Sequence, residues 1–183
     1  MKKNKLPMNL PNRLTMVRIA MIPVYLLLLT GGNWCRFAAG LVFAAASITD
    51  YFDGKIARER SLITDFGKFM DPIADKLLVL LPFLYFCATE PFGVADVWPV
   101  MLMVAREIIV SGFRLVASTK GKVIAADKFG KVKTATQMVT VITMTLRPII
   151  ESAIPWFGKI PWALLWLCGV LSVSARISQV GSE

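Results

Sequence analysis

Five aspartates fall within residues 49–75, TDYFDGKIARERSLITDFGKFMDPIAD, between the apolar stretches FAAGLVFAAASI and KLLVLLPFLYFCA. Four of them have helical spacing. Asp50 and Asp53 are three positions apart and Asp71 and Asp75 four apart, so each pair shares one face of a helix. Helices joined by the short segment between them are expected to run antiparallel, which gathers the four carboxylates in one cleft. Hard oxygen donors suit Mg²⁺ or Mn²⁺ rather than a soft metal, and four carboxylates are enough for two ions. Two-metal sites stabilise both the attacking and the leaving oxygen of a displacement at phosphorus. Arg58 and nearby lysines add positive charge for phosphate groups. Gly54 and Ala57 allow close approach of a helix or ligand, and Gly67 does so ahead of the second pair. Pro72 is expected in the first turn of its helix, where its missing N–H costs little. Asp65 is off both spacings and reads as a solvated or capping loop residue. The plainer alternative is a set of ion pairs with Lys55, Arg58, Lys68 and Lys76. Ionisable residues beside hydrocarbon are functional by default, which argues against it.

The elements that must position these residues are membrane helices. The chain has 183 residues, 56% hydrophobic and 18% charged, with a mean hydropathy of +0.61. That is more apolar surface than a soluble domain of this length needs. Six segments are long enough to span a bilayer, at about 14–31, 36–57, 67–88, 97–118, 131–149 and 158–176. The expected architecture is an all-α polytopic membrane protein of one domain, 1–183, with an interfacial segment 1–13 and a six-helix bundle 14–176. Six spans put both termini on one side. That side carries Lys2, Lys3, Lys5, Arg13, Arg58, Arg60, Lys120, Lys122, Lys128 and Arg176, whereas Arg36, Arg147 and Lys159 lie opposite. The basic side is cytoplasmic by the positive-inside rule, so both termini and the aspartates face the cytoplasm.

Topology also explains the net charge of +9, and no nucleic-acid partner is expected. A cleaved signal peptide is not expected, because no A-x-A-like site follows a short apolar core. The absence of histidine excludes Ser-His-Asp chemistry and zinc–histidine sites, and leaves carboxylate, Lys, Tyr or Cys as general base. Cys35, Cys87 and Cys168 show no ligand spacing and read as small buried hydrophobes. Trp156, Trp162 and Trp166 read as an interfacial aromatic belt, without chemistry.

The pattern D-x2-D-G-x2-A-R-x8-G-x3-D-x3-D, carried by Asp50, Asp53, Gly54, Ala57, Arg58, Gly67, Asp71 and Asp75, resembles the signature of the CDP-alcohol phosphotransferase family without departure. The resemblance implies a six-helix membrane enzyme, usually a homodimer, in which an acceptor hydroxyl attacks the β-phosphorus of a CDP-linked donor and CMP leaves. It assigns the first three aspartates to metal and nucleotide, and Asp75 to the general base beside the metal. Gly54, Ala57, Arg58 and Gly67 would line the CDP pocket.

Three further stretches extend the resemblance over most of residues 9–140, toward bacterial members of the family that use glycerol 3-phosphate. NLPNRLTMVRIAMIP places Asn12, Thr15 and Arg18 at the mouth of the first span, as possible nucleotide contacts. AREIIVSGFR places Arg106, Glu107 and Arg114 in the fourth, and GKVKTATQ places Lys131, Lys133, Thr134 and Gln137 at the start of the fifth. Arg106, Arg114, Lys131 and Lys133 suit the phosphate of a small acceptor, and an uncharged alcohol would need no second anion site. The expected donor is CDP-diacylglycerol, with its tails between helices among the membrane lipids. The alternatives are pairing of Arg106 with Glu107 or Asp71, and snorkelling of Lys131 and Lys133 to headgroups. Rival functions are the same chemistry on inositol phosphate or phosphatidylglycerol, and, more remotely, divalent-cation transport or intramembrane aspartyl proteolysis. Transporters commonly place their acids near mid-membrane within internal repeats, neither of which is seen here.

Overall fold

A computed structural model describes residues 10–59, 65–89, 94–119 and 128–180. Among the described residues there is no strand. The elements are α1 (Leu10–Leu29), α2 (Asn33–Glu59), α3 (Asp65–Thr89), α4 (Val94–Thr119), α5 (Lys128–Glu151) and α6 (Lys159–Val180), with a 3-10 turn at Pro155–Gly158. Each helix overlies one expected span, with ends displaced by up to four residues. The described chain divides into two compact units, Met1–Leu81 and Pro82–Glu183.

In the first unit, α1 buries Thr15, Arg18, Ile22, Tyr25 and Leu29. These positions alternate by three and four, the stripe a helix turns toward a neighbour. On α2 the matching stripe is Ala39, Phe43 and Ala46, and the Tyr25 and Phe43 rings meet with centroids 5.4 Å apart. The two helices are joined by the tight turn Thr30–Gly32, in which Gly31 N–H donates to the Leu28 carbonyl at 3.2 Å. A Cβ on Gly31 would lie 2.6 Å from Cys35 Cβ, so only glycine fits there.

Helix α1 begins at Leu10, with Pro11 in a first turn that tolerates it. Two expectations, on Pro72 and Asp65, need correction. Pro72 lies two turns inside α3, which begins at Asp65. Its missing N–H therefore deprives the carbonyl of residue 68 of an intrahelical partner, close to Asp71. Asp65 accordingly opens α3 rather than lying in the preceding loop.

In the second unit the core is built by Phe83 and Phe86 of α3, Val100 and Met103 of α4, Val141 and Met144 of α5, and Leu165 and Cys168 of α6. Gly169 lets α6 approach α4, since a Cβ there would sit 3.0 Å from Pro99 Cβ. Helix α5 is rich in threonine, and Thr134, Thr136, Thr140, Thr143 and Thr145 all donate to carbonyls three or four residues back. Their hydroxyls are thereby satisfied without water. Of the cysteines only Cys168 is fully buried, while Cys35 and Cys87 are half-buried.

Large apolar side chains cover the outside, among them Leu27, Trp34, Phe113 and Val170. Among the described residues one stretch, Met70–Thr89, is long and apolar enough to cross a membrane, with 20 residues and a mean hydropathy of 1.5. Trp162 and Trp166, expected above in an interfacial belt, share a hydrogen-bond acceptor. Both indole N–H groups donate to Asp96 Oδ1, at 2.6 and 3.0 Å, tying α6 to the first turn of α4. Asp96→Ala is expected to lower stability in detergent by about 1–2 kcal/mol, a typical loss for hydrogen bonds to a charged acceptor. Thermal unfolding followed by tryptophan emission measures it.

Candidate active site

Thr15 and Arg18 form the polar end of the buried α1 stripe, and both reach α3. The Thr15 hydroxyl donates to Asp71 Oδ1 at 2.5 Å, and Arg18 Nη1 donates to Asp75 Oδ1 at 2.9 Å. Spacing explains the match. Three positions on α1 and four on α3 are each about one turn, so two neighbouring side chains on one helix meet two on the other. Arg18 is almost sealed from solvent, whereas the Asp75 side chain is 47% exposed. The carboxylate is thus fixed from behind by a buried cation and still accessible from the front.

The sequence reading places Thr15 and Arg18 at the mouth of the first span as possible nucleotide contacts. Their observed partners include the third and fourth aspartates of the motif. The available signal was the continuity of Thr15 and Arg18 with Ile22, Tyr25 and Leu29, which marks both as inward-facing.

A second polar cluster lies within Pro82–Glu183. Glu107 Oε1 on α4 accepts from Arg106 Nη1 at 3.3 Å and is ion-paired with Lys133 Nζ from α5. Two of the four expected acceptor-site cations, Arg106 and Lys133, are therefore brought together, but on a carboxylate. The pairing of Arg106 with Glu107, weighed above as an alternative, does occur. Glu107 also takes Lys133, a partner the sequence reading did not give it, and brings the formal charge of the three side chains to one positive. Lys133 is buried rather than snorkelling, because the carboxylate supplies the charge that permits burial.

Asp50, Asp53, Gly54, Ala57 and Arg58 fall on α2, Gly67 on α3, Arg114 on α4, Lys131 on α5 and Asn12 on α1. Their side chains lie outside the described residues, so the expected convergence of the two aspartate pairs does as well. Among the described residues no group of three or more His, Cys, Asp or Glu side chains is gathered for a metal. The two described motif carboxylates nevertheless have the donor chemistry of a hard divalent cation. A carboxylate has about four lone-pair sites, so the hydrogen bonds from Thr15 to Asp71 and from Arg18 to Asp75 are compatible with a role as metal ligands.

Residues 8–174 match the family model described as CDP-alcohol phosphatidyltransferase. The chain belongs to that family. It is also 38% identical over 151 residues to the CDP-diacylglycerol–glycerol-3-phosphate 3-phosphatidyltransferase of Bacillus subtilis (strain 168), covering 75% of this chain and 77% of that protein. Proteins of the same name from Escherichia coli (strain K12) and Shigella flexneri are each 37% identical over 180 residues, or 95% of this chain and 94% of theirs. CDP-alcohol phosphatidyltransferases are membrane-associated enzymes of phospholipid synthesis that depend on divalent cations. Membership makes this chain a transferase and accounts for acids and arginines within so apolar a sequence.

Proposed function

We propose that the chain transfers the phosphatidyl group of CDP-diacylglycerol to glycerol 3-phosphate, giving phosphatidylglycerophosphate and CMP. The observation that carries this reading is identity of 37–38% over most of the chain to transferases whose names specify that donor and that acceptor. The Arg106–Glu107–Lys133 cluster, in which Lys133 is buried, supports it, since an uncharged alcohol would not call for cations there.

In this reading Asp50, Asp53, Asp71 and Asp75 hold the divalent cation, two ions of Mg²⁺ or Mn²⁺. When bound, the metal neutralises charge on the pyrophosphate and on the departing CMP. Gly54, Ala57, Arg58 and Gly67 line the CDP site, with Arg58 supplying positive charge toward phosphate. Asp75 takes the proton from the acceptor hydroxyl at a carboxylate oxygen. The hydroxyl oxygen forms its new bond to the β-phosphorus, and the bond from that phosphorus to the oxygen of CMP breaks. Arg18 holds the Asp75 carboxylate in place, and Thr15 does the same for Asp71. Arg106, Arg114, Lys131 and Lys133 bind the acceptor phosphate, and Asn12 lies near the nucleotide.

The enzyme acts as one catalytic domain in the cell membrane, with six spans, both termini cytoplasmic and the site facing the cytoplasm. It works as a homodimer among membrane lipids. The test is incubation of purified protein with both substrates and identification of the lipid product by mass. Phosphatidylglycerophosphate is expected, chelation by EDTA should reduce its formation to background, and added Mg²⁺ or Mn²⁺ should restore it. Formation that is unaffected by EDTA would overturn the metal assignment.

A further inference from the structure

Gln137 and Ser172 are buried polar residues that the reaction as described does not use. Gln137 is 3% exposed and Ser172 0%, and neither Gln137 Nε2 nor Ser172 Oγ has a hydrogen-bond partner among the described residues. Leaving such a group unsatisfied costs about 1–3 kcal/mol, so two of them in one place need an explanation.

Their place is fixed by the packing of α5 on α6. Thr140 Oγ1 of α5 and Cys168 Sγ of α6 are 3.3 Å apart. The two helices are joined by the short connection 152–158 and run antiparallel. Going three residues back from Thr140 reaches Gln137, and going four on from Cys168 reaches Ser172. Both moves run in the same direction, so the two unsatisfied groups share one level of the helix pair. One turn further along the same face of α5 is Lys133, held with Arg106 on Glu107. That turn is about 6 Å of helix, comparable to a three-carbon phosphomonoester. In the opposite direction Val141 and Met144 close the column with apolar side chains.

We propose that Gln137 and Ser172 form the hydroxyl-reading end of the acceptor site, binding the secondary hydroxyl of a glycerol phosphate whose phosphate lies on Arg106 and Lys133. The proposal rests on the functional reading above and refines it. An amide offers a donor and an acceptor whichever way it is turned, and the serine hydroxyl offers both, so together they satisfy one alcohol group. A site that buries such groups rejects an analogue lacking the hydroxyl, because its own polar atoms are then left unpaired.

The experiment compares glycerol 3-phosphate with 3-hydroxypropyl phosphate, which keeps the phosphate and the attacking primary hydroxyl but lacks the secondary one. The wild-type protein is expected to favour glycerol 3-phosphate by at least about a hundredfold in kcat/KM. In Gln137→Met the ratio should fall to within about threefold, and in Ser172→Ala by about tenfold. If the wild type has no preference, or if Gln137→Met keeps the wild-type ratio, the proposal is overturned. Should Gln137→Met fail to fold, Ser172→Ala decides by the same ratio. If the wild type turns over neither acceptor, the functional reading fails, and the proposal with it. Turnover of both acceptors at equal rates removes the proposal alone.

Discussion

Asp75→Asn is expected to lower kcat by at least about a thousandfold, within the usual range for loss of a general base, while CDP binding persists. The substitution keeps the size of the side chain and a carbonyl oxygen facing Arg18, but it removes the group that takes the acceptor proton. With no histidine in the chain, no imidazole can replace it. The same change leaves the buried Arg18 without the charge it faces at 2.9 Å. Removing the charge that faces a buried cation is destabilising, so the variant should also melt at a lower temperature than the wild type. Calorimetric titration with CDP separates the two effects, because a folded protein that binds nucleotide and does not turn over has lost chemistry. Full activity in Asp75→Asn would remove the base assignment.

Arg18→Met should reduce kcat about 10–100-fold with a smaller change in KM, and Arg18→Lys should recover part of the loss. Misplacing a catalytic group by about 1 Å commonly costs a factor of a hundred, and Arg18 acts on position. The cost to the fold should be lower than for Asp75→Asn. When the cation is removed, Asp75 is exposed enough to be hydrated, whereas removal of the anion leaves a cation sealed inside. Kinetics with varied CDP-diacylglycerol, alongside thermal midpoints of the three variants, test both halves of this asymmetry. Equal losses in kcat and stability for Arg18→Met and Arg18→Lys would point to a purely structural role.

The helices were legible because hydrophobic runs are broken by strong turn signals, such as Thr30-Gly31-Gly32 between α1 and α2. The start of α1 at Leu10 was less so, since Leu10 and Pro11 continue a polar, basic stretch of sequence. That Asp71 and Asp75 turn the same way was legible from spacing alone. Their braces were not, because Thr15 with Asp71 and Arg18 with Asp75 are contacts across 56 and 57 positions. Helical periodicity tells which way a residue faces but not which helix it meets.

The same limit explains Glu107. Its neighbour Arg106 can be read as a local pair, but Lys133 arrives from another helix. Trp162 and Trp166 carry the usual signature of an interfacial belt, and nothing in their own spacing indicates a shared carboxylate 66 and 70 positions away. Long-range polar contacts are therefore the part of this fold that packing supplies.

The most direct test is CMP release by purified protein given CDP-diacylglycerol and a divalent cation, with glycerol 3-phosphate, inositol phosphate, phosphatidylglycerol or serine supplied separately. Release that depends on glycerol 3-phosphate and not on the others is the predicted result. Release with another acceptor, or none from folded protein with any of them, would contradict the proposed reaction.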